Sequence, residues 1–332
     1  MGGNVFPEGI TRRYQADEYF ELTPKILNRL WLNNNYVYGV VIPAYHEKES
    51  FGDCDVLYST KDDKPIDAAV FGDLFATSLV SRNSEVTSIA YKELQIDCIH
   101  IPREQFEYGL NYFRMNDAGN LIGKLAHQVG LKHGHAGLFL PLRDGDNKFA
   151  QVRLTLDHDK TLELLGLDVK TFNDGFDNLQ QMFEFVASSR YYNPEIYLLE
   201  NNNTISRVRD RKRDTYRKFL EFGTTYRGPV YEKVADKSVF LEHIFECFPE
   251  AYPAYQEAMH KLAVRKFIKE KFNGHIVANL TGVQGKELGQ FMQILRADWY
   301  FRDENIIYMS HDQLMGHVLE KFNDFKNSSC IH

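Results

Sequence analysis

The chain has 332 residues, 43% hydrophobic and 26% charged, an ordinary balance for a globular protein and enough length for two domains. Its net charge of -7 argues against a protein that coats nucleic acid nonspecifically, though a local basic groove stays open. No uninterrupted apolar run approaches a membrane span, and the N-terminus lacks the basic-then-apolar layout of a secretory signal, so no membrane partner is expected.

In chain order, residues 1–35 read as an entry segment and a helix. Thr23-Pro24 has the form of a helix start, and Ile26, Leu27, Leu30 and Trp31 recur at helical spacing. Tyr36 to Ile42, rich in β-branched and aromatic residues, reads as a strand. A polar loop carrying His46 and Lys48 leads into Phe51-Gly52-Asp53-Cys54-Asp55-Val56-Leu57-Tyr58, a second strand. Val70 with Leu74, and Phe71 with Phe75, are i,i+4 pairs that predict a helix against the sheet. Leu94-Gln95-Ile96-Asp97-Cys98-Ile99-His100-Ile101 is a third strand, closed by Pro102, which cannot donate to a ladder. The predicted order over 36–105 is strand, strand, helix, strand: a small α+β unit.

Side chains alternate across a strand, so Asp53 and Asp55 share one face while Cys54 and Val56 take the other. A neighbouring strand that brings Asp97 to that face completes a cage of hard oxygen ligands. Such a cage suits one or two Mg²⁺ ions, with Mn²⁺ as a substitute. Two such ions clamp the attacking and leaving oxygens of an in-line phosphoryl displacement. Cys54 and Cys98 then point into the core. The four cysteines lack paired spacing and read as reduced, buried thiols of a cytoplasmic protein.

Leu121, Ile122, Leu125, Ala126 and Val129 mark one helix face, with Gly130 placed to cap its end. His133-Gly134-His135 lacks a third metal ligand at useful spacing and reads as a solvated loop. Glu163 to Leu167 and Leu179 to Val186 are further helical candidates. The stretch from Arg207 to Lys218 concentrates Arg207, Arg209, Arg211, Lys212, Arg213, Arg217 and Lys218 in an acidic chain. It reads either as a solvated helix face with counter-charges or as a phosphate-contacting surface. Beyond it the pattern is almost wholly helical. Pro253 opens a helix running to Asn273-Gly274, and Leu288, Phe291, Met292, Leu295 and Trp299 line a last amphipathic helix.

Several of these segments, in unbroken order over roughly residues 36–170, resemble family X DNA polymerases. Glu49-Ser50-Phe51-Gly52-Asp53-Cys54-Asp55-Val56-Leu57 resembles that family's first metal motif. Gln95 to Phe106, followed by Leu110-Asn111-Tyr112-Phe113, resembles its palm-to-thumb junction. Asn120 with Lys124-Leu125-Ala126 and Gly130-Leu131-Lys132 resembles the nucleotide-facing thumb helix, and Thr155-Leu156-Asp157 to Leu167 the end of the thumb. The resemblance implies Asp53, Asp55 and Asp97 as catalytic metal ligands of the nucleotidyltransferase superfamily, with Asp97 nearest the attacking 3′-hydroxyl. It also implies Tyr112, Phe113, Asn120 and Lys124 against the incoming nucleotide, with Gly52 at the lip of the site.

The chain departs from the family pattern where the triphosphate is held. The usual Gly-Ser after the first strand is Ile42-Pro43 here, and a second Gly-Ser is replaced by Met115-Asn116. His46, Lys48 or Gly2-Gly3 must then supply the grip. The family's N-terminal lyase domain has no counterpart ahead of residue 36. A second likeness lies at 272–296, where Phe272 to Val277 and Thr281-Gly282-Val283-Gln284-Gly285-Lys286-Glu287-Leu288-Gly289-Gln290 resemble the tail of bacterial CCA-adding enzymes and poly(A) polymerases. Gly285 and Lys286 there stand at a helix entrance suited to a phosphate.

The expected protein is an α+β nucleotidyltransferase palm (36–105) preceded by a helical segment (1–35). A thumb-like nucleotide-binding region (106–170) and a mainly helical acceptor-binding domain (171–332) follow. The expected activity adds NMP from an NTP to the 3′-hydroxyl of a nucleic acid, releasing pyrophosphate. RNA is favoured over DNA, as a tRNA 3′ end or a poly(A)-type substrate. The rivals are a gap-filling family X-like polymerase, transfer to a small molecule or protein, and a non-enzymatic binding protein on a decayed palm.

Overall fold

The structure is a computed structural model and describes residues 5–329; Gly2-Gly3 and Cys330 lie outside the described residues. The chain forms two compact units, residues 1–251 and 252–332. The boundary falls inside the segment expected as 171–332. Together they are a mixed α+β protein with a small mixed sheet and a helical C-terminal region. No helix among the described residues is long and apolar enough to cross a membrane.

The first unit opens with a two-residue strand β1 (Tyr14–Gln15) and helix α1 (Ala16–Leu30). Gln15 and Glu18 close a reciprocal capping box at the start of α1. The expected start at Thr23-Pro24 is therefore corrected: Pro24 lies inside the helix. Tyr19, Leu22, Ile26 and Leu30 bury one face of α1 against the sheet, and that burial outweighs the proline. The Thr23 hydroxyl reaches the Phe20 carbonyl, whose helical donor Pro24 lacks, at 3.5 Å.

Strands β2 (Tyr36–Val41), β3 (Ser50–Phe51) and β4 (Asp53–Thr60) follow, then α2 (Ala68–Phe75), β5 (Val80–Asn83), β6 (Val86–Tyr91) and β7 (Leu94–His100). They form a five-stranded sheet in the order β2-β4-β7-β6-β5, with β4 and β7 parallel and the other neighbours antiparallel. The β5–β6 hairpin was absent from the expected order. Short β3 pairs with β1, setting Tyr14 opposite Phe51 and Gln15 opposite Ser50. Cys54, Val56, Tyr58, Ile96 and Cys98 pack with Ile26, Leu30, Phe71 and Phe75 of α1 and α2. Leu57 and Ile99, on the opposite face, pack with Ile101 and Phe106. The sheet is thus covered on both faces; Asp53 opens β4, and Asp55 and Asp97 lie opposite each other within β4 and β7.

After β7 come α3 (Phe106–Phe113) and α4 (Ala118–Gln128). An antiparallel three-stranded sheet follows, β8 (Lys132–Gly134), β9 (Gly137–Asp144) and β10 (Asn147–Thr155), then α5 (His158–Leu164), α6 (Val169–Asp174) and α7 (Leu179–Ala187). Gly130, at φ +80°, ends the α4 segment as expected. Glu163 to Leu167 is not a helix of its own: α5 stops at Leu164 and Gly166, at φ +69°, turns the chain. The solvated loop at 133–135 is also corrected. His133 lies in β8 and is buried, while His135 is exposed. Helices α8 (Thr204–Arg211), α9 (Asp214–Thr225) and α10 (Leu241–Cys247) complete the unit. Cys54 and Cys98 are fully buried, but Cys247 is exposed, against expectation.

The second unit consists of α11 (Tyr252–Lys271), α12 (Gly274–Thr281), α13 (Gly285–Ala297), α14 (Asp303–Ile306) and α15 (His311–Ser329) around Phe291, Leu295, Leu314 and Val318. Helix α13 stops before Trp299, which is exposed, and α15 rather than α13 is the last helix.

Candidate metal centre

The three carboxylates meet because β4 and β7 run parallel in one register, Asp53 opposite Gln95 and Asp55 opposite Asp97. One oxygen from each of Asp53, Asp55 and Asp97 lies within 4.8 Å of the others. Asp97 is buried and fixed from two sides. The Ser88 hydroxyl, opposite it on β6, donates to Oδ1 at 2.6 Å, and Gln95 Nε2 donates to both oxygens at 3.0 Å. Asp55 Oδ1, by contrast, is buried with no hydrogen-bond partner. A buried carboxylate oxygen left bare beside two further carboxylates is costly without a counter-ion. That donor set, all hard oxygen with one oxygen unclaimed, fits a divalent cation.

Electrostatics agree. Burial, then the neighbouring Asp53, pushes the Asp55 carboxyl from its ordinary 3.8 up to about 7, and Asp97 adds to the effect. Burial also raises Asp97, with Asp53 adding and the Ser88 hydrogen bond opposing. The Cys54 thiol is pushed up to about 12 by burial, so it is inert core and no nucleophile.

Lys48 is half-buried beside this cluster. Burial lowers its pKa, while Asp53 and Asp55 act in the opposite direction. Its ammonium lies 4.7 Å from the Phe51 ring centroid. Gly52 sits close under the guanidinium of Arg13: a Cβ there would stand only 3.0 Å from Arg13 Nη1. Arg13 went unnoticed in the sequence, because what places it is the pairing of β1 with β3, 37 residues along the chain. His46 is engaged by Asp177, which accepts at 2.9 Å from its Nδ1, and its own backbone N–H donates to the Phe176 carbonyl at 2.9 Å.

The residues expected against the nucleotide divide. Tyr112 packs edge-on to buried His133 at 5.0 Å, and Phe113 stacks on His135 at 5.6 Å. Asn120 accepts from Arg209 Nη2 at 2.7 Å and donates to Asp210 at 3.4 Å. Lys124 donates to Asn202 and lies 3.8 Å from Asp210, a fully buried carboxylate. Asn120 and Lys124 therefore bind α8 and the turn before it.

The basic stretch is correspondingly mixed. Arg207 donates to the carbonyls of Leu199 at 3.0 Å and Asn202 at 2.9 Å. Arg209 pairs with Asp210 at 2.8 Å, and Arg213 pairs with Asp117. Arg217 and Lys218 share Asp214 at 2.7 and 3.1 Å. Arg211 and Lys212 are exposed and carry no partner among the described residues. An open groove of about 970 Å³ runs between α7 and α9, with Phe183, Phe222 and Tyr226 in its wall and Lys218 and Arg227 on its rim. Tyr45, from the loop that carries Lys48, closes one side. In the second unit, Gly285 enters α13 at φ +56° and Lys286 beside it is exposed.

No protein-family model matches this chain, and no curated protein matches it.

Proposed function

We propose that the chain is a metal-dependent nucleotidyltransferase that moves NMP from an NTP to the 3′-hydroxyl of a nucleic acid, RNA before DNA, releasing pyrophosphate. One observation carries the reading: Asp53, Asp55 and Asp97 converge from parallel strands and leave the buried Asp55 Oδ1 without a partner. Two Mg²⁺ ions held there would neutralise charge on the transferring phosphoryl group and hold the attacking and leaving oxygens in line.

The chain's own residues supply position. Asp55, whose pKa is raised to about 7 by burial and by Asp53, would have to lose its proton to hold a cation. Ser88 and Gln95 lock Asp97 so that its carboxylate does not swing when substrate enters. Little covalent chemistry is asked of the protein, so fixed geometry is most of its contribution. Phe222 and Tyr226, half-buried in the groove wall above buried Phe183, would offer aromatic surface to unstacked bases of an acceptor strand, and Lys218 and Arg227 would offer charge to its backbone. Arg211 and Lys212 add two unpaired cations on α8 and the turn that follows.

The test is incubation with each labelled triphosphate, Mg²⁺, and a panel of single-stranded RNA, single-stranded DNA and gapped duplex. Extension of single-stranded RNA, absent in Asp53→Ala, supports the reading. Extension confined to gapped duplex favours a gap-filling polymerase, and failure of every acceptor with every triphosphate contradicts nucleic-acid extension.

A further inference from the structure

A nucleotidyl transfer centre must hold the β- and γ-phosphates that leave, and the chain lacks the Gly-Ser pairs that do so in the family it resembles. The loop after β2 carries Ile42-Pro43, and Pro43 has no N–H to offer. The Met115 backbone N–H, at the second such position, donates to the Pro43 carbonyl at 2.8 Å. The two substituted turns therefore bind each other, and the grip lies elsewhere.

Two adjacent arginines on the way into β1 behave differently. Arg12 is engaged by carboxylates on both edges, Glu18 at 2.8 Å and Glu93 at 3.2 Å. Arg13 meets no carboxylate. Its Nε and Nη2 donate to the Ser50 hydroxyl at 3.3 and 3.1 Å, and Nη2 donates to the Ser50 carbonyl at 3.0 Å. Nη1 has no acceptor among the described residues and hangs over Gly52, the residue before Asp53. A guanidinium locked through Nε and Nη2 leaves the two N–H groups of Nη1 as charge-assisted donors to an anion. Lys48 lies in the same lip, one cation without hydrogen bond or ion pair among the described residues. Gly52 matters for space: a side chain there would press on Arg13 Nη1 and fill the gap between it and the strand.

We propose that Arg13 and Lys48 form the phosphate-holding edge of the metal centre and take the β- and γ-phosphates of the incoming nucleoside triphosphate. This rests on the nucleotidyl-transfer reading and adds to it a residue from β1's leading turn. Arg13, fixed by Ser50 at the lip of β4, orients the leaving pyrophosphate relative to Asp53. Lys48 contributes a point charge from the loop, and its half-burial strengthens that attraction. The bare Asp55 Oδ1 points to a ligand-bearing cluster at the same lip.

The experiment is calorimetric titration of the full chain with Mg²⁺ alone, then with inorganic tripolyphosphate in saturating Mg²⁺, which removes base recognition from the measurement. Wild type, Arg13→Ala, Arg13→Lys and Lys48→Ala are compared, with thermal unfolding alongside. Wild type is expected to bind Mg-tripolyphosphate, and each alanine variant to lose about tenfold or more in affinity, as for one charge-assisted hydrogen bond. Arg13→Lys should recover part of the loss. In turnover, the same variants should raise KM for the triphosphate more than they lower kcat. Lys48→Ala removes no anchoring bond, so it keeps the test decisive if Arg13→Ala unfolds. Unchanged tripolyphosphate affinity in both alanine variants, with Mg²⁺ binding and turnover intact, overturns this inference alone. A wild type that binds no Mg²⁺ overturns the metal centre beneath it as well.

Discussion

Asp55 stands directly opposite Asp97 across β4 and β7, the parallel pair within the five-stranded sheet. Ser88 and Gln95 donate to Asp97, whereas the buried Oδ1 of Asp55 has no hydrogen-bond partner. Its folded pKa of about 7 exceeds the ordinary 3.8, so the metal-free fold binds a proton that the unfolded chain releases. The contribution of Asp55 to stability is full below the unfolded value and is lost as pH rises through the folded one. A divalent cation bound at the proposed site would reverse that penalty. Saturating Mn²⁺ should therefore raise Tm by roughly 5 °C or more at pH 8 and by much less at pH 5.5. Equal shifts at both pH values in a thermal melt would count against a shared cation at Asp55.

On the proposed mechanism, Asp53→Ala and Asp55→Asn should lower turnover by about a thousandfold or more, since each would remove a charged ligand from the proposed reacting centre. Removing one of three repelling carboxylates should leave metal-free Tm unchanged or higher. A matched set of melts and single-turnover assays checks both halves. Activity within tenfold of wild type would remove these residues from the mechanism.

The arginines of α8 and its flanks should split by role. Arg211→Ala and Lys212→Ala should weaken single-stranded RNA binding and reduce the slope of log affinity against log salt by about 0.7 each. Arg213→Ala should act on stability, because Asp117 then keeps a half-shielded charge without its partner. Binding isotherms at four salt concentrations and a thermal melt separate these outcomes. An unchanged salt slope for Arg211 and Lys212 would make them a solvated surface.

Buried imidazoles give the fold an acid limit. His158 lacks a partner on either ring nitrogen, and His133 lacks one on Nε2; the rings lie 5.5 Å apart. Burial lowers His158 to about 2 and His133 to about 4, below the ordinary 6.5. The unfolded chain binds protons that the folded chain refuses, so stability is intact above about 6.5 and declines as pH falls. Asp55 shifts stability in the opposite sense over part of that range, so the comparison is made between variants. The Tm of His158→Leu minus that of wild type should grow as pH falls from 7 to about 5. A constant difference would show that His158 does not titrate between the two states.

Gly119 marks how tightly α3 and α4 meet. A Cβ there would overlap the Tyr112 carbonyl, so Gly119→Ala must push the helices apart. A cost of about 3 kcal/mol is expected by denaturant unfolding. A loss below about 0.5 kcal/mol, the range of ordinary surface changes, would contradict that packing.

How much of this was legible follows from how local each signal is. The alternation in Asp53-Cys54-Asp55, the i,i+4 pairs of α2 and the apolar face of α4 are encoded within a few residues, and those elements stand where expected, as does the helix at Leu179 to Val186. The β5–β6 hairpin was hidden because β5 is a largely exposed edge strand reading Val80-Ser81-Arg82-Asn83. Helix α1 hid its start behind Pro24, since only the buried face against the sheet reveals that the helix continues. The basic stretch looked uniform in sequence. Its division into anchors and free cations depends on Asp117 and Asn120, about ninety residues away. Arg13 has the same history, being defined by a strand pairing and by nothing adjacent to it.

The most direct measurement of the proposed metal centre is Mn²⁺ binding followed by electron paramagnetic resonance at pH 8, in wild type and in Asp55→Asn. Two tightly bound Mn²⁺ per wild-type chain, with their mutual spin coupling lost in the variant, is the predicted result. The same binding in both proteins would contradict a cation pair shared by Asp53, Asp55 and Asp97.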